Sequence, residues 1–153
     1  MPDGQLLDPR AQGQARRQSA ALPVLGSGAA LRVVLITSRE TRRWVVPKGW
    51  IEPREQPHRS AVREAFEEAG LAGEADPEPI GLYAYAKRMP RGVVLPTQVL
   101  VFRFRVARLL QDWPERRERE RRLFTPAAAA TLVAEPGLAD LLRSLTPARS
   151  HPA

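Results

Sequence analysis

The chain has 153 residues, of which 43% are hydrophobic and 27% are charged, as expected for one soluble globular domain. It contains no cysteine, which excludes disulfides and thiolate metal sites, and no apolar run long enough to span a membrane. Its formal net charge of +7 favours an anionic partner, although a solvated arginine-rich surface explains that charge about equally well.

The N-terminal part of the sequence predicts a tail and three strands. Residues 1–17 lack both a hydrophobic period and a secretory signal, so we expect a flexible tail on a cytoplasmic protein. Residues 20–25 predict a first strand, and Pro23 favours an edge position because proline cannot donate a hydrogen bond to a ladder. Residues 31–37 predict a buried strand, and residues 44–46 predict a short one.

The clearest helix follows a loop over residues 47–55. The helix covers residues 57–70, where a proline suits the first turn and Gly70 suits a left-handed C-cap. Apolar residues on one side of the helix, Ala65 and Phe66 among them, predict that it packs against a sheet.

The C-terminal half predicts two more strands and two more helices. The strands cover residues 79–87 and 97–106, with a turn around Gly92 between them, and a charge run follows at residues 115–122. Thr125 opens one helix, residues 138–145 form the last one, and residues 147–153 form a tail. This order predicts an α/β fold with helices on the faces of a mixed sheet, in one domain over residues 18–146.

Three carboxylates in the long helix require a separate explanation. Glu64, Glu67 and Glu68 share one face near the helix C-terminus, opposite the apolar side. Like charges at this spacing destabilise a helix by about 0.2–0.5 kcal/mol per pair, and the helix dipole adds to that cost. A divalent cation reverses the sign of the interaction, since Mg²⁺ and Mn²⁺ prefer oxygen ligands. On spacing alone, a solvated acidic face paired with Arg59 and Arg63 is an equally good interpretation.

The neighbouring sequence distinguishes between these two interpretations. The chain reads Gly49, five residues, Glu55, seven residues and then Arg63-Glu64-Ala65-Phe66-Glu67-Glu68-Ala69-Gly70-Leu71. This pattern resembles the complete Nudix box, which combines a glycine, a glutamate, an Arg-Glu pair, a Glu-Glu pair and a second glycine at this spacing. Every fixed position is matched, and only Ala65 is small for a position that usually takes a larger aliphatic residue.

The resemblance implies an α/β/α sandwich in which the box forms a loop, a helix and a second loop. It also implies a hydrolase of diphosphate linkages that depends on Mg²⁺ or Mn²⁺. The implied metal ligands are the main-chain carbonyl of Gly49 and the carboxylates of Glu64, Glu67 and Glu68. Glu67 is also the candidate general base, and Arg63 and Glu55 would orient the carboxylates through hydrogen bonds.

Patches outside the box resemble one branch of that family, the diphosphoinositol polyphosphate phosphohydrolases, which also cleave dinucleoside polyphosphates. The patches are residues 37–39, 43–53, 109–115 and 123–124. Because arginine and lysine bind phosphate oxygens well, the candidate substrate contacts are Arg39, Lys48, Lys87, Arg88, Arg91 and Arg121. Lys48 departs from the branch, which often has glycine at that position.

Other activities stay open at this point. A Nudix hydrolase could act instead on an RNA 5′ end, a nucleotide sugar or an oxidised nucleotide. A non-catalytic nucleotide-binding module is less favoured, because such proteins usually lose box carboxylates and this chain keeps all four glutamates.

The expected partner is therefore an anionic small molecule that contains a diphosphate, rather than a membrane or a nucleic acid, and a homodimer remains open. The arginines within residues 116–122 alternate with glutamates, so surface ion pairs are the alternative to substrate contacts there. Tyr83 and Tyr85 are interpreted as packing residues rather than as platforms for a base.

Overall fold

The computed structural model describes residues 16–145, so residues 1–15 and 146–153 of the predicted tails lie outside the described residues. Within that range there are eight strands and three helices. The strands are β1 (Arg16–Leu25), β2 (Arg32–Thr37), β3 (Trp44–Val45), β4 (Lys48–Trp50), β5 (Leu71–Ala75), β6 (Gly81–Arg88), β7 (Val94–Leu109) and β8 (Arg121–Phe124). The helices are α1 (Pro57–Ala69), α2 (Pro126–Leu132) and α3 (Pro136–Ser144). None of these described helices has the length and apolar character needed to cross a membrane.

The strands form one mixed sheet. Its main order is β3-β2-β1-β7-β5, while β4 pairs with β1, β6 pairs with β7 and β8 pairs with β2. The central strands β1 and β7 run parallel, in register from Arg16 opposite Thr97 to Val24 opposite Arg105. All the other pairs of described strands are antiparallel. The predicted mixed sheet is confirmed.

Helices cover both faces of this sheet, and each face has its own apolar core. On one face, the buried Ala61, Ala65 and Ala69 of α1 pack against Phe102 and Phe104 of β7. On the other face, α2 and α3 contribute Ala129, Ala130, Leu138, Ala139 and Leu142 to a second cluster with Leu22, Val33, Val99 and Val101. The predicted α/β/α sandwich is therefore confirmed, and the alanines of α1 allow that helix to approach the sheet closely.

The first strand differs from its prediction in position and in length. It lies in the middle of the sheet, so the edge position inferred from Pro23 is wrong. On the side away from β7, β1 pairs with β4 over Gln18–Ala20 and with β2 from Val24 onwards, so that Pro23 falls between two ladders. Proline has no amide proton to donate, but at this position neither β4 nor β2 pairs with β1, so no ladder hydrogen bond is lost on that side. The strand begins at Arg16, so Arg16 and Arg17 belong to the sheet rather than to the predicted tail.

Three further segments differ from the prediction. The loop expected over residues 47–55 contains strand β4, residues 71–75 form strand β5, and the charge run over residues 115–122 ends in strand β8. Phe66 was expected on the packed side of α1 but is 45% exposed, because the buried alanines make the contact with the sheet. Tyr83 is buried in the core, as predicted.

Candidate functional site

Helix α1 carries two buried carboxylates on neighbouring turns. The side chains of Glu64 and Glu68 are only 10% and 13% exposed, whereas that of Glu67 is 39% exposed. Burial raises the pKa of both buried carboxyls, to about 8 for Glu68, and the two groups interact directly with each other. Arg119 opposes the rise at Glu68. The helix thus holds two neighbouring acidic groups away from bulk water.

Strand β4 lies against these two carboxylates. A Cβ atom placed on Gly49 would lie 2.1 Å from Oε2 of Glu64, so only a glycine leaves room for that carboxylate. The amide of Lys48 donates to Oε1 of Glu68 over 3.2 Å. The pairing of β4 with β1 therefore places the box glycine against the box glutamates of α1.

A second network joins Arg63 to Glu55, the two residues predicted to orient the carboxylates. Arg63 donates to both carboxylate oxygens of Glu55, over 3.1 and 2.9 Å, and to Oε2 of Glu64 over 2.9 Å. The hydroxyl of Ser60 donates to Oε1 of Glu55 over 2.5 Å. These hydrogen bonds lower the pKa of Glu55 to about 2, and those from Arg63 contribute most. Glu55 in turn raises the pKa of Arg63.

The remaining box carboxylate, Glu67, has a different environment. Its Oε1 lies 3.7 Å from Nη1 of Arg63, and more than a third of its side chain is exposed. Its carboxylate is therefore open to solvent, unlike the two buried ones.

The fit of these residues to a divalent cation follows from their chemistry. Among residues 16–145, no three His, Cys, Asp or Glu side chains already converge as a preformed metal centre. Nevertheless, Glu64 and Glu68 supply carboxylate oxygens from one face of α1, and both side chains are largely shielded from solvent. Hard cations such as Mg²⁺ and Mn²⁺ match this donor set, and the main chain of Gly49 lies against it.

A cleft of about 660 Å³ has Glu68 and Gly49 among its lining residues. Four of the six predicted substrate contacts line it, namely Arg39, Lys48, Lys87 and Arg88. Arg91 does not, because it lies in the turn between β6 and β7. Arg121 does not line the cleft either. Its guanidinium donates to the carbonyls of Ala69, Gly70 and Leu110 over 2.9, 3.1 and 2.9 Å.

Cations cover the aromatic rings of the cleft. The Arg16 guanidinium lies 4.7 Å and the Lys87 ammonium 5.8 Å from the ring centroid of Trp50. The ammonium of Lys48 lies 5.4 Å from the ring of Tyr85, and burial lowers the pKa of Lys48. These distances are within the range of cation–π contacts, so the rings help to hold positive charge in the cleft.

Sequence reasoning did not single out Arg119, which the structure places at the cleft. Its side chain is only 7% exposed, and it contacts Glu115, the carbonyl of Thr37 and, at 3.7 Å, Oε2 of Glu68. The sequence shows a run of alternating Arg and Glu here, and only the path of the chain determines which arginine points inwards. The spacing of Glu115 and Arg119 at i and i+4 was the available signal.

Comparison with known proteins identifies a family for the chain. The NUDIX domain family matches residues 15–145. Nudix hydrolase 12, mitochondrial, from Arabidopsis thaliana is 33% identical over 105 residues, which cover 67% of this chain and 52% of that protein. Diphosphoinositol polyphosphate phosphohydrolase 3-alpha from Mus musculus is 34% identical over 83 residues, or 54% of this chain and 46% of that protein. The chain thus spans about half the length of these curated relatives.

Solved structures show the same fold at low sequence identity. The binary complex of the C. elegans Ap4A hydrolase superposes with a TM-score of 0.64 at 16% identity, covering 84% of this chain and 93% of that one. The E. coli dihydroneopterin triphosphate pyrophosphohydrolase gives a TM-score of 0.63 at 16% identity, covering 84% and 94%.

Proposed function

Because the chain belongs to the Nudix family, we propose that it is a metal-dependent hydrolase that cleaves a diphosphate linkage in a polyphosphorylated small molecule. The observation that carries the proposal is the position of the buried Glu64 and Glu68 against Gly49, at the end of a cleft lined with cations. Acidic groups that favour a divalent cation and basic groups that favour phosphates meet there. The curated relatives are named hydrolases, which agrees with this activity.

We assign the metal ligands to the carbonyl of Gly49 and to Glu64, Glu67 and Glu68, with Mg²⁺ or Mn²⁺ as the cation. When bound, such a cation neutralises the diphosphate and lowers the pKa of a coordinated water. Arg63 donates to Glu64 through a charge-assisted hydrogen bond, and Glu55 holds Arg63 in place, which fixes the direction of the Glu64 carboxylate. Glu67, the most exposed of the helix carboxylates, either completes the metal ligands or accepts the proton of the attacking water.

For the substrate, we propose a diphosphoinositol polyphosphate or a dinucleoside polyphosphate. Of these two, we favour the diphosphoinositol polyphosphate, which carries many phosphates. Cations already lie over the rings of Trp50 and Tyr85, so those faces are not free for a nucleotide base to stack on. Several curated relatives are named diphosphoinositol polyphosphate phosphohydrolases, which supports the same choice. The cytoplasmic location remains a prediction from the sequence, and the oligomeric state remains open.

Hydrolysis assays test this proposal directly. Diphosphoinositol polyphosphate, dinucleoside polyphosphate, ADP-ribose and nucleoside triphosphates are compared with Mg²⁺ or Mn²⁺, and the products are identified by phosphorus NMR. We expect turnover of the substrates with long phosphate chains, and its loss in Glu68→Gln. Glu74→Gln is the matched control, because Glu74 is an exposed acid on β5. Preference for ADP-ribose or a nucleoside triphosphate would refute the substrate, and an active Glu68→Gln would refute the metal site.

A further inference from the structure

Two features destabilise the C-terminal end of α1. The last carbonyls of a helix have no partner within the helix, and acidic side chains there oppose the helix dipole. Glu67 and Glu68 lie in this last turn, so their side chains depend on how firmly the turn is held.

Every carbonyl from Glu67 to Gly70 accepts a hydrogen bond from outside the helix. The amide of Glu115 donates to Glu67 over 3.1 Å, and the indole nitrogen of Trp113 donates to Glu68 over 3.0 Å. Arg121 donates to Ala69 and Gly70 over 2.9 and 3.1 Å, and the amide of Leu110 also donates to Gly70, over 2.8 Å. The segment from Leu110 to Arg121 therefore replaces all the partners that the helix end lacks.

The two side chains in this network also pack on each other. The indole ring of Trp113 lies directly on Gly70, where a Cβ atom would come within 2.3 Å of the ring. The guanidinium of Arg121 lies 4.2 Å from the centroid of the same ring. We call this pair, Trp113 and Arg121, the helix clamp. Its fixed positive charge lies at the negative end of the helix dipole.

We propose that the helix clamp positions Glu67 and Glu68 for metal binding by holding the main chain of the last helical turn. The inference rests on the proposed function of the box as a metal site. It changes the role of Arg121, which lies outside the cleft and acts through the main chain of α1 rather than on the substrate. Without the helix clamp, repulsion between the carboxylates and the unpaired carbonyls would favour unwinding of this turn, away from Gly49.

Mn²⁺ titration of the full chain, followed by the EPR signal of free Mn²⁺, measures the metal site without any substrate. The variants are Trp113→Phe, which keeps a ring but loses the indole donor, and Arg121→Met, which keeps the stem but loses every donor. Arg121→Lys restores the charge without the forked geometry. Arg122→Met is the matched control, because Arg122 is the next residue of β8 and is exposed.

We expect Trp113→Phe and Arg121→Met to weaken Mn²⁺ binding about 10-fold, as is typical when the residues that orient metal ligands are changed. Arg121→Lys should recover part of that loss, and Arg122→Met should bind like the wild type. A lower melting temperature with unchanged Mn²⁺ affinity would overturn the inference and leave the helix clamp as a packing feature. A wild-type protein that binds no Mn²⁺ would overturn the proposed function, and the inference with it.

Discussion

A carboxylate oxygen of Glu64 lies where the side chain of any other residue at position 49 would begin. A Cβ atom on Gly49 would come within 2.1 Å of Oε2 and 2.5 Å of Cδ of Glu64. Gly49 is not among the residues with positive φ, so the glycine is required by this close approach and not by the backbone conformation. The position of the Glu64 carboxylate thus depends on the absence of a side chain at Gly49.

The first prediction concerns Gly49→Ala. We expect the variant to stay folded, because the atoms in the way belong to the far end of a flexible side chain. Glu64 must nevertheless turn away from β4, so Mn²⁺ binding and most of the hydrolytic activity should be lost. Binding is measured by titration calorimetry, and folding by circular dichroism.

Gly92→Ala is the control for this experiment. No atom lies within 4 Å of a Cβ atom placed there, but φ is +77°, so an alanine is strained without touching the site. It should lower the free energy of unfolding by about 1–2 kcal/mol and leave turnover unchanged. Full activity in Gly49→Ala would contradict the role that we give to this contact.

The second prediction compares two buried serines that differ in the hydrogen bonding of their hydroxyl groups. Both Ser19 and Ser60 are fully buried. The hydroxyl of Ser60 donates to Glu55, whereas that of Ser19 has no hydrogen-bond partner within the described residues. Since an unsatisfied buried hydroxyl costs about 1–3 kcal/mol, Ser19→Ala should raise the free energy of unfolding. Ser60→Ala should lower it by about 1.5–3 kcal/mol, because it removes a hydrogen bond to a charged group.

Urea unfolding of the two variants beside the wild type checks these signs. A loss of stability in Ser19→Ala would show that its hydroxyl has a bonding partner in solution.

The box could be predicted from the sequence because its residues are close along the chain. Helix periodicity alone brings Glu64 and Glu68 to one face, and an apolar opposite side predicts the packing of α1. The contact with Gly49 needs the pairing of β4 with β1, and that short strand of Lys48, Gly49 and Trp50 has no strand-like pattern in the sequence. The resemblance to a known family supplied this part.

Roles that depend on distant chain segments could not be predicted. Three residues of the same type, arginine, have three different positions. Arg39 lines the cleft, Arg91 lies at an exposed turn, and Arg121 binds the C-terminal end of α1. The central position of β1 was missed for a related reason, because Pro23 falls in a gap between two ladders that only the assembled sheet defines.

The third prediction concerns the pH dependence of stability through Glu55. Hydrogen bonds from Arg63 lower the pKa of Glu55 to about 2, so the ionised carboxylate stabilises the folded state. That contribution is complete above the ordinary pKa of 4.5 and is lost as the pH falls towards 2. Glu55→Gln should therefore be less stable than the wild type at neutral pH, by about 1–2 kcal/mol, and this gap should shrink in acid. Urea titrations at several pH values measure the gap, and a constant gap would contradict the role of the charge.

The last prediction separates local substrate contacts from the general effect of the net charge of +7. Lys87 lines the cleft beside Trp50, whereas Arg91 lies outside it at the exposed turn, and replacing either residue by alanine removes one positive charge. At an ionic strength where the Debye length is about 10 Å, a distant charge is largely screened. Lys87→Ala should therefore raise KM several-fold with little change in kcat, which is the signature of lost substrate binding. Arg91→Ala should leave both constants unchanged, and an equal rise of KM in the two variants would mean that overall charge, not the cleft, attracts the substrate.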